Sequence, residues 1–255
     1  MFGKNIILKQ ERDLNGALDV HSIFHTIQGE GPLAGHSAVF VRLYGCSLAC
    51  SWCDTEFESK QQRMLPARLL AAVTSAYPPG AKPPLVVITG GEPMRQYLTP
   101  AISALLAAQH EVQIETAGIH WEPQLESLNV PPFIFSDPLP IFLVCSPKLP
   151  GVHPKIVEYA DAFKYIVDVR DEPDPEDGLP IHAVSQRGLP NPGRLFRPFW
   201  LFAYPEKIMV QPLDPSPETP DRDWLFDRNC NRCVELVKRY GYRLSLQQHK
   251  ILGLE

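Results

Sequence analysis

The sequence predicts an α/β fold in one domain over residues 1–255, with an incomplete TIM-like barrel of βα units. Strand and helix patterns alternate at short intervals, which is typical of βα units around a parallel sheet. Several strands are continuous apolar runs, as expected for strands buried on both faces. The helices between the later strands are short or indistinct, so an incomplete barrel fits the chain better than a complete eightfold one.

In the first half of the chain, β-branched and apolar runs alternate with Ala- and Leu-rich segments of helical spacing. The predicted strands are 38–44, 85–89 and 111–115. The predicted helices are 65–77 and 97–109. The first of these helices stops before Pro78, because proline cannot continue a helix.

The second half contains more strands than helices. The predicted strands are 141–145, 163–168, 207–210 and 243–247, and the predicted helix is 223–240. Proline supplies 27 of the 255 residues, about twice its average usage. The proline-rich stretches near 131–140 and 171–200 are expected to be rigid loop insertions, since strands lie between them. Two roles stay open for them: surface insertions, or contacts in a dimer.

Composition excludes several classes of protein. The chain has 24 basic and 29 acidic residues and a net charge of −5, whereas a nucleic-acid-coating protein usually has a basic surplus. It has no apolar run of the ~18 residues that a membrane helix needs, and no signal-peptide core. We therefore expect a cytoplasmic protein with reduced cysteines and neither a nucleic-acid nor a membrane partner.

Three of the six cysteines, Cys46, Cys50 and Cys53, have the spacing C-x3-C-x2-C. Three thiolates in one loop can hold a soft metal or a cluster. A structural zinc site usually draws four ligands from two separated pairs, and no second pair stands at the usual distance. A 4Fe–4S cluster takes four ligands, so three cysteines would leave one iron open for another ligand. Core packing and a lone zinc site remain as alternatives.

Polar or glycine-rich segments follow the predicted strands, where function gathers in α/β folds. These segments are 45–46, 89–93, 115–118, 146–148 and 211–214. The Gly90-Gly91 pair would let backbone groups approach a ligand closely, because glycine has no side chain.

The cysteine triplet followed by a strand that ends in Gly-Gly-Glu-Pro resembles the radical S-adenosylmethionine superfamily. A longer ordered set of motifs is similar to the 7-carboxy-7-deazaguanine synthase family, from about Phe24 to Glu255. These motifs are at 25–31, 38–42, 53–55, 115–116, 146–148 and 243–250. The resemblance implies a radical S-adenosylmethionine core. It also implies conversion of 6-carboxy-5,6,7,8-tetrahydropterin to 7-carboxy-7-deazaguanine in the queuosine pathway, with ring contraction and loss of ammonia.

The resemblance also implies cofactors and their sites. Cys46, Cys50 and Cys53 would bind a 4Fe–4S cluster, and Thr55 would bind Mg²⁺. The implied S-adenosylmethionine contacts are Thr89, Gly90, Gly91, Glu92, Ser146, Pro147, Lys148, Gln211, Pro212, Leu213 and Asp214. The implied substrate contacts are Ile27, Gln28, Gly29, Glu30, Arg42, Thr89 and the terminal carboxylate of Glu255, on a C-terminus folded into the site.

The family further implies a homodimer and an electron donor such as a flavodoxin. One departure is Ala117, which stands where the family has asparagine. We interpret Cys145 as a core residue, and Cys230 and Cys233 as packing or surface thiols. Two other functions stay open: an activase that installs a glycyl radical on a protein partner, and a non-catalytic iron–sulfur or zinc protein.

Overall fold

The computed structural model describes residues 6–11, 13–128, 141–184 and 193–254. The predicted insertion at 131–140, part of the one at 171–200, and Glu255 lie outside the described residues. The strands are β1 (Leu18–Ile27), β2 (Ser37–Leu43), β3 (Gln62–Met64), β4 (Leu85–Gly90), β5 (Val112–Thr116), β6 (Ile141–Cys145), β7 (Ala162–Val167), β8 (Ile208–Pro212) and β9 (Arg243–Leu244). The α-helices are α1 (Pro66–Ala76), α2 (Thr99–Ala107), α3 (Pro154–Tyr159), α4 (Arg222–Tyr240) and α5 (Gln248–Ile251).

The strands form one open sheet in the order β3-β1-β2-β4-β5-β6-β7-β8-β9. From β2 to β9 every neighbouring pair is parallel, whereas β1 runs antiparallel to both β2 and β3. The predicted incomplete α/β barrel is therefore confirmed, with an antiparallel extension at one edge.

The ten-residue strand β1 is absent from the strands that the sequence predicts. Its sequence mixes polar and apolar residues, and a register shift between Val20 and Ser22 interrupts the period of two. The predicted strand 243–247 is also too long, because β9 ends at Leu244. The other predicted boundaries agree with the structure to within two residues.

Alternate residues of the strands point to the two faces of the sheet. Val39 and Val41 of β2 and Ile88 of β4 are fully buried in the main core, against Leu69 and Val73 of α1. The continuous apolar run at the start of β4 is thus a buried strand, as predicted. No helix among the residues described here is long and apolar enough to cross a membrane.

The segment after β9 contacts both the loop after β1 and the strand β8. Ser245 Oγ accepts a hydrogen bond from the Gly31 backbone N–H (3.1 Å) and donates to Gln211 Oε1 of β8 (2.9 Å). The Gln248 N–H donates to the Gly29 carbonyl (3.1 Å). A Cβ atom at Gly29 would lie 2.1 Å from His249 Nδ1 and 2.9 Å from the His249 backbone nitrogen, so a side chain there would force the docked tail to shift. Hydrogen bonds from the tail, instead of a further strand, join the loop after β1 to β8.

Candidate active site

A cleft with a volume of about 200 Å³, open to solvent, lies at the carboxyl ends of the parallel strands. Most of the predicted site residues line it: Glu30, Cys46, Cys50, Cys53, Thr55, Thr89, Gly90, Gly91, Ser146, Lys148, Gln211, Pro212, Leu213 and Asp214. Six others do not line it and stay predictions as ligand contacts: Ile27, Gln28, Gly29, Arg42, Glu92 and Pro147.

The loop after β2 brings the three cysteines to one wall of the cleft. The Leu48 N–H donates to Cys46 Sγ (3.3 Å), and the Cys53 N–H donates to the Cys50 carbonyl (3.2 Å). Burial raises the pKa of the Cys46 thiol and of the Cys53 thiol. A bound metal centre would reverse this effect, because a coordinating thiol is deprotonated.

The cysteine loop fits an iron–sulfur cluster in its chemistry and surroundings. All six cysteines of the chain are reduced thiols, and thiolate is the ligand that such clusters use. The three loop cysteines pack with Leu48, Val184 and other apolar side chains, so this wall of the cleft is largely apolar. Across the described ranges, no three His, Cys, Asp or Glu side chains converge on a point that could hold a single metal ion. A cluster does not need that convergence, since each cysteine binds a different iron.

Gly90 and Gly91 allow the end of β4 to approach the end of β2 and the start of the cysteine loop. Gly90 has φ +108°, and a Cβ atom there would lie 2.4 Å from the Leu43 carbonyl oxygen. A Cβ atom on Gly91 would lie 1.8 Å from the Gly45 carbonyl oxygen. Both glycines are therefore needed for contact between two backbones, while their exposed sides line the cleft.

Glu92 is buried behind this wall. Its carboxylate accepts hydrogen bonds from Thr116 Oγ1 (2.7 Å), the Ala117 N–H (2.8 Å) and the Met94 N–H (3.1 Å). Burial raises the pKa of Glu92. These contacts join the end of β4 to the end of β5, so Glu92 fixes the relative position of two strand ends that line the cleft.

Lys148 follows the end of β6 and lines the same cleft as the glycines. Its ammonium donates to the Ser146 carbonyl (3.1 Å) and to the Ser146 hydroxyl, and it lies 5.0 Å from the ring centroid of Trp52 in the cysteine loop. Desolvation in the cleft lowers the pKa of Lys148. This amine connects the Ser-Pro-Lys turn to the cysteine wall.

The cleft floor contains a charged cluster in which Glu30 is a predicted site residue and Lys164 and Glu115 are not. Lys164 of β7 is buried and forms an ion pair with Glu30. Burial alone would raise the pKa of Glu30, but the Lys164 ammonium holds that pKa below its usual range. Burial alone would lower the pKa of Lys164, but the carboxylates of Glu30 and Glu115 hold that pKa above its usual range. The floor therefore holds an ionised carboxylate and an ammonium, both largely shielded from water.

Glu115 of β5 completes this floor. One of its carboxylate oxygens accepts from Gln28 Nε2 (3.0 Å) and Gln113 Nε2 (2.9 Å), and the other from Thr89 Oγ1 (3.3 Å). Gln28 Oε1 in turn accepts the Glu30 N–H (3.0 Å). Gln28 thus orients the two acids from behind the cleft.

Arg42 lies on β2 directly beside Thr89 of β4 in the sheet register. Its guanidinium lies 5.1 Å from the ring centroid of Phe24, which itself stacks on Phe40. The structure thus places Arg42 next to the cleft-lining Thr89 without making it part of the lining.

The mouth of the cleft is crossed by a set of contacts that we call the C-terminal clasp: Gln247 and Lys250 with Glu30, Asp54 and Asp214. Gln247 Nε2 donates to Glu30 Oε1 (2.8 Å) and Asp54 Oδ2 (3.2 Å). Lys250 Nζ lies 2.9 Å from Asp54 Oδ2 and 3.3 Å from Asp214 Oδ2. Desolvation alone would raise the pKa of Asp54, but the Lys250 ammonium lowers that pKa to about 2.

Lys164, Glu115, Asp54 and Gln247 line the cleft and are missing from the predicted site. Lys164 could have been found from the sequence, because it is the single charge in the apolar strand AFKYIV, as Arg42 is in SAVFVRL. Gln247 and Asp54 gave no such signal, since their roles depend on where the tail docks.

The chain is similar to several known proteins. The 7-carboxy-7-deazaguanine synthase of Rhodospirillum rubrum is 41% identical and is aligned over 100% of both chains. The enzyme of the same name from Rickettsia prowazekii is 34% identical, over 93% of this chain and 89% of the relative. The crystal structure of QueE from Escherichia coli has a TM-score of 0.59 and 24% identity, over 90% of this chain and 93% of that one, and supports the fold. No protein-family model matches the chain.

Proposed function

The chain belongs to the 7-carboxy-7-deazaguanine synthase family, and on that premise we propose how its cleft converts 6-carboxy-5,6,7,8-tetrahydropterin to 7-carboxy-7-deazaguanine. The reaction contracts the ring and releases ammonia. One observation carries the proposal: the cysteine loop, the glycine pair after β4 and the Ser-Pro-Lys turn after β6 converge on a single cleft. A non-catalytic metal protein would need only the first of these.

Cys46, Cys50 and Cys53 hold the 4Fe–4S cluster in this proposal. S-adenosylmethionine takes the wall formed by Thr89, Gly90 and Gly91, by Ser146 and Lys148, and by 211–214. When bound, cluster and S-adenosylmethionine together supply a carbon radical that abstracts a hydrogen atom from the pterin. The chain's own contribution is placement: it fixes the strand ends through Glu92 and excludes water with the apolar side chains around the cysteines.

Glu30 and Glu115 are proposed to bind the amino and ring N–H edge of the pterin. Ionised carboxylates are acceptors only, so they favour an edge rich in donors. Lys164 and Gln28 orient them. Arg42, beside Thr89, is proposed to bind the substrate carboxylate, for which its planar guanidinium is suited. Ile27, Gly29 and the terminal carboxylate of Glu255 remain proposed substrate contacts.

Mg²⁺ is proposed to bind at Thr55, together with substrate oxygens and water, because Mg²⁺ takes six oxygen ligands. Thr55 lines the cleft, and its hydroxyl donates to Asp54 Oδ1 (3.2 Å), so a second oxygen ligand lies beside it. We expect Thr55→Ala to reduce Mg²⁺-dependent turnover by about tenfold or more, and Thr55→Ser to retain it. The measurement is turnover against Mg²⁺ concentration. Unchanged Mg²⁺ dependence in the alanine variant would refute the site.

We further propose that the protein is cytoplasmic, acts as a homodimer and takes its electron from a flavodoxin. Sedimentation equilibrium of the full chain measures the oligomeric state directly. A mass equal to that of one chain would reject the dimer. Replacement of dithionite by reduced flavodoxin in the assay tests the donor.

Anaerobic turnover tests the function itself. The reconstituted protein receives S-adenosylmethionine, Mg²⁺, reductant and the carboxytetrahydropterin, and 7-carboxy-7-deazaguanine is sought by mass. We expect product from the wild type and from Lys155→Met, whose lysine lies on the exterior, and none from Cys50→Ala. Release of 5′-deoxyadenosine without product would retain the radical chemistry and reject the substrate. If neither compound is found with a fully loaded cluster, the proposal is wrong.

A further inference from the structure

We propose that Lys250 is a positioning residue: it holds the cysteine loop against the loop after β8 and so keeps the cleft closed on its cofactors. The identity of those cofactors rests on the proposed function, but the contacts of Lys250 do not.

Lys250 bridges two loops that come from distant parts of the sheet. Its Nζ lies 2.9 Å from Asp54 in the loop after β2 and 3.3 Å from Asp214 in the loop after β8. It also donates to Gln247 Oε1 (3.0 Å), a third contact of the same ammonium. In the sheet order, four strands separate β2 from β8. Lys250 therefore links opposite walls of the cleft.

The two carboxylates repel each other when the ammonium between them is removed. Asp214 would keep a cation, because its other oxygen lies 2.6 Å from Arg222. Asp54 would lose the adjacent ammonium and keep two uncharged partners, the amide of Gln247 (3.2 Å) and the hydroxyl of Thr55 (3.2 Å). The Lys164 ammonium would act on Asp54 from farther away. The imbalance predicts that the loop carrying Asp54 moves away, rather than the loop carrying Asp214.

Movement of Asp54 has consequences because of its neighbours in the chain. It lies between Cys53 and Thr55, so a shift of its backbone displaces one proposed cluster ligand and the proposed Mg²⁺ ligand together. The ammonium reaches Asp54 only while α5 is seated on the loop after β1. That seating depends on the Gln248 to Gly29 hydrogen bond (3.1 Å) and on the absence of a side chain at Gly29. Docking of the tail and placement of the cysteine loop are thus coupled through one side chain.

The size of the effect follows from exposure. The Lys250 side chain is 35% exposed, so solvent screens the pair, and the contribution is moderate rather than decisive for folding. A matched control exists in Lys155, which is 36% exposed and also lies near two carboxylates, Glu126 (3.5 Å) and Glu158 (3.3 Å), away from the cleft. Lys250→Met and Lys155→Met each remove one ammonium from between two acids, but only the first should open the cleft.

Hydrogen–deuterium exchange of the chain without cluster or S-adenosylmethionine is the test. We expect Lys250→Met to speed exchange about fivefold or more in peptides covering 46–58 and 245–254, and to leave 62–76 unchanged. Lys250→Arg should largely restore protection, since it keeps the charge, and Lys155→Met should leave both peptides as in the wild type. Wild-type exchange of both peptides in Lys250→Met would overturn the proposal. Faster exchange over the whole chain, a general loss of stability, would also overturn it.

Binding of S-adenosylmethionine to the reconstituted protein gives a second measurement. We expect the dissociation constant to rise about five- to thirtyfold in Lys250→Met and to be unchanged in Lys155→Met. If the wild type makes no deazaguanine but exchange still changes as described, the proposed function fails and the role of Lys250 stands. If the wild type makes the deazaguanine but Lys250→Met exchanges like the wild type, the role of Lys250 fails and the proposed function stands.

Discussion

At the scale of single residues, the charge balance of the cleft floor depends on Lys164. This lysine is buried, forms an ion pair with Glu30, and acts on Glu115 through its field. Burying charged groups is unfavourable unless they are paired, so the three residues form one electrostatic unit. Its use is to present ionised acceptors to a ligand in a site largely shielded from water.

Lys164→Met tests this unit by leaving two carboxylates without their cation. We expect the free energy of unfolding at pH 7 to fall by about 3 kcal/mol. In the wild type the lowered pKa of Glu30 stabilises the fold at pH values above the usual pKa of a glutamate. This stability is lost only as the pH falls through the lowered pKa, so it is fully present at both pH 7 and pH 5.5. In the variant, burial alone would raise that pKa, so stability should increase from pH 7 to 5.5. Urea unfolding at both values measures this, and a parallel pH response of wild type and variant would contradict the account.

The cysteines give a second test at this scale, in iron content. We expect Cys46→Ala, Cys50→Ala and Cys53→Ala each to lose most of the reconstituted iron and sulfide. Cys230→Ser should keep the wild-type content, because Cys230 lies on α4 beside the core residue Cys233, away from the cleft lining. Iron and sulfide analysis with EPR of the reduced protein makes the comparison. Loss of iron in Cys230→Ser, or its retention in Cys50→Ala, would exclude the assigned ligands.

At the scale of elements, the site depends on how closely β4 ends against β2. The Gly91 N–H donates to the Leu43 carbonyl (3.2 Å), and the Glu92 N–H donates to the Gly45 carbonyl (3.1 Å). These bonds continue the parallel ladder into the cysteine loop, so the position of the loop is set by the sheet. The Gly-Gly-Glu motif thus serves the backbone of the fold as well as the cleft.

Gly91→Ala is the corresponding prediction. The added Cβ atom would meet the Gly45 carbonyl oxygen at 1.8 Å, so the two backbones must separate. We expect a loss of about 3 kcal/mol of unfolding free energy together with loss of cluster binding. Gly151→Ala is the control, since its Cβ atom would meet nothing within 4 Å, and should change stability by less than about 0.5 kcal/mol. Equal stability of the two variants in urea would refute the proposed close approach.

At the scale of the whole molecule, the barrel is closed by its C-terminal segment rather than by strands. Ser245 and Gln248 bond to the loop after β1, and Lys250 spans the mouth. An open sheet leaves room for large ligands. A docked C-terminal segment shields such ligands from water. The fold therefore provides both access and enclosure.

Much of this molecule follows from its sequence, and the remainder has identifiable causes. Apolar runs such as 85–89 predict the parallel strands, because burial on both faces leaves a continuous hydrophobic signal. The strand β1 escapes prediction because a register shift breaks its alternation. The charged floor and the clasp escape it because Lys164, Asp54 and Gln247 meet their partners only through long-range contacts that local patterns do not encode.

The central claim is that this cleft directs a radical at the pterin. Its most direct test is a turnover experiment with substrate deuterated at C6. We predict 7-carboxy-7-deazaguanine as product, with deuterium appearing in 5′-deoxyadenosine or in recovered S-adenosylmethionine. Formation of the product with no deuterium in either compound would contradict the proposed hydrogen abstraction. Absence of product from a protein with a full, reduced cluster would contradict the assigned function.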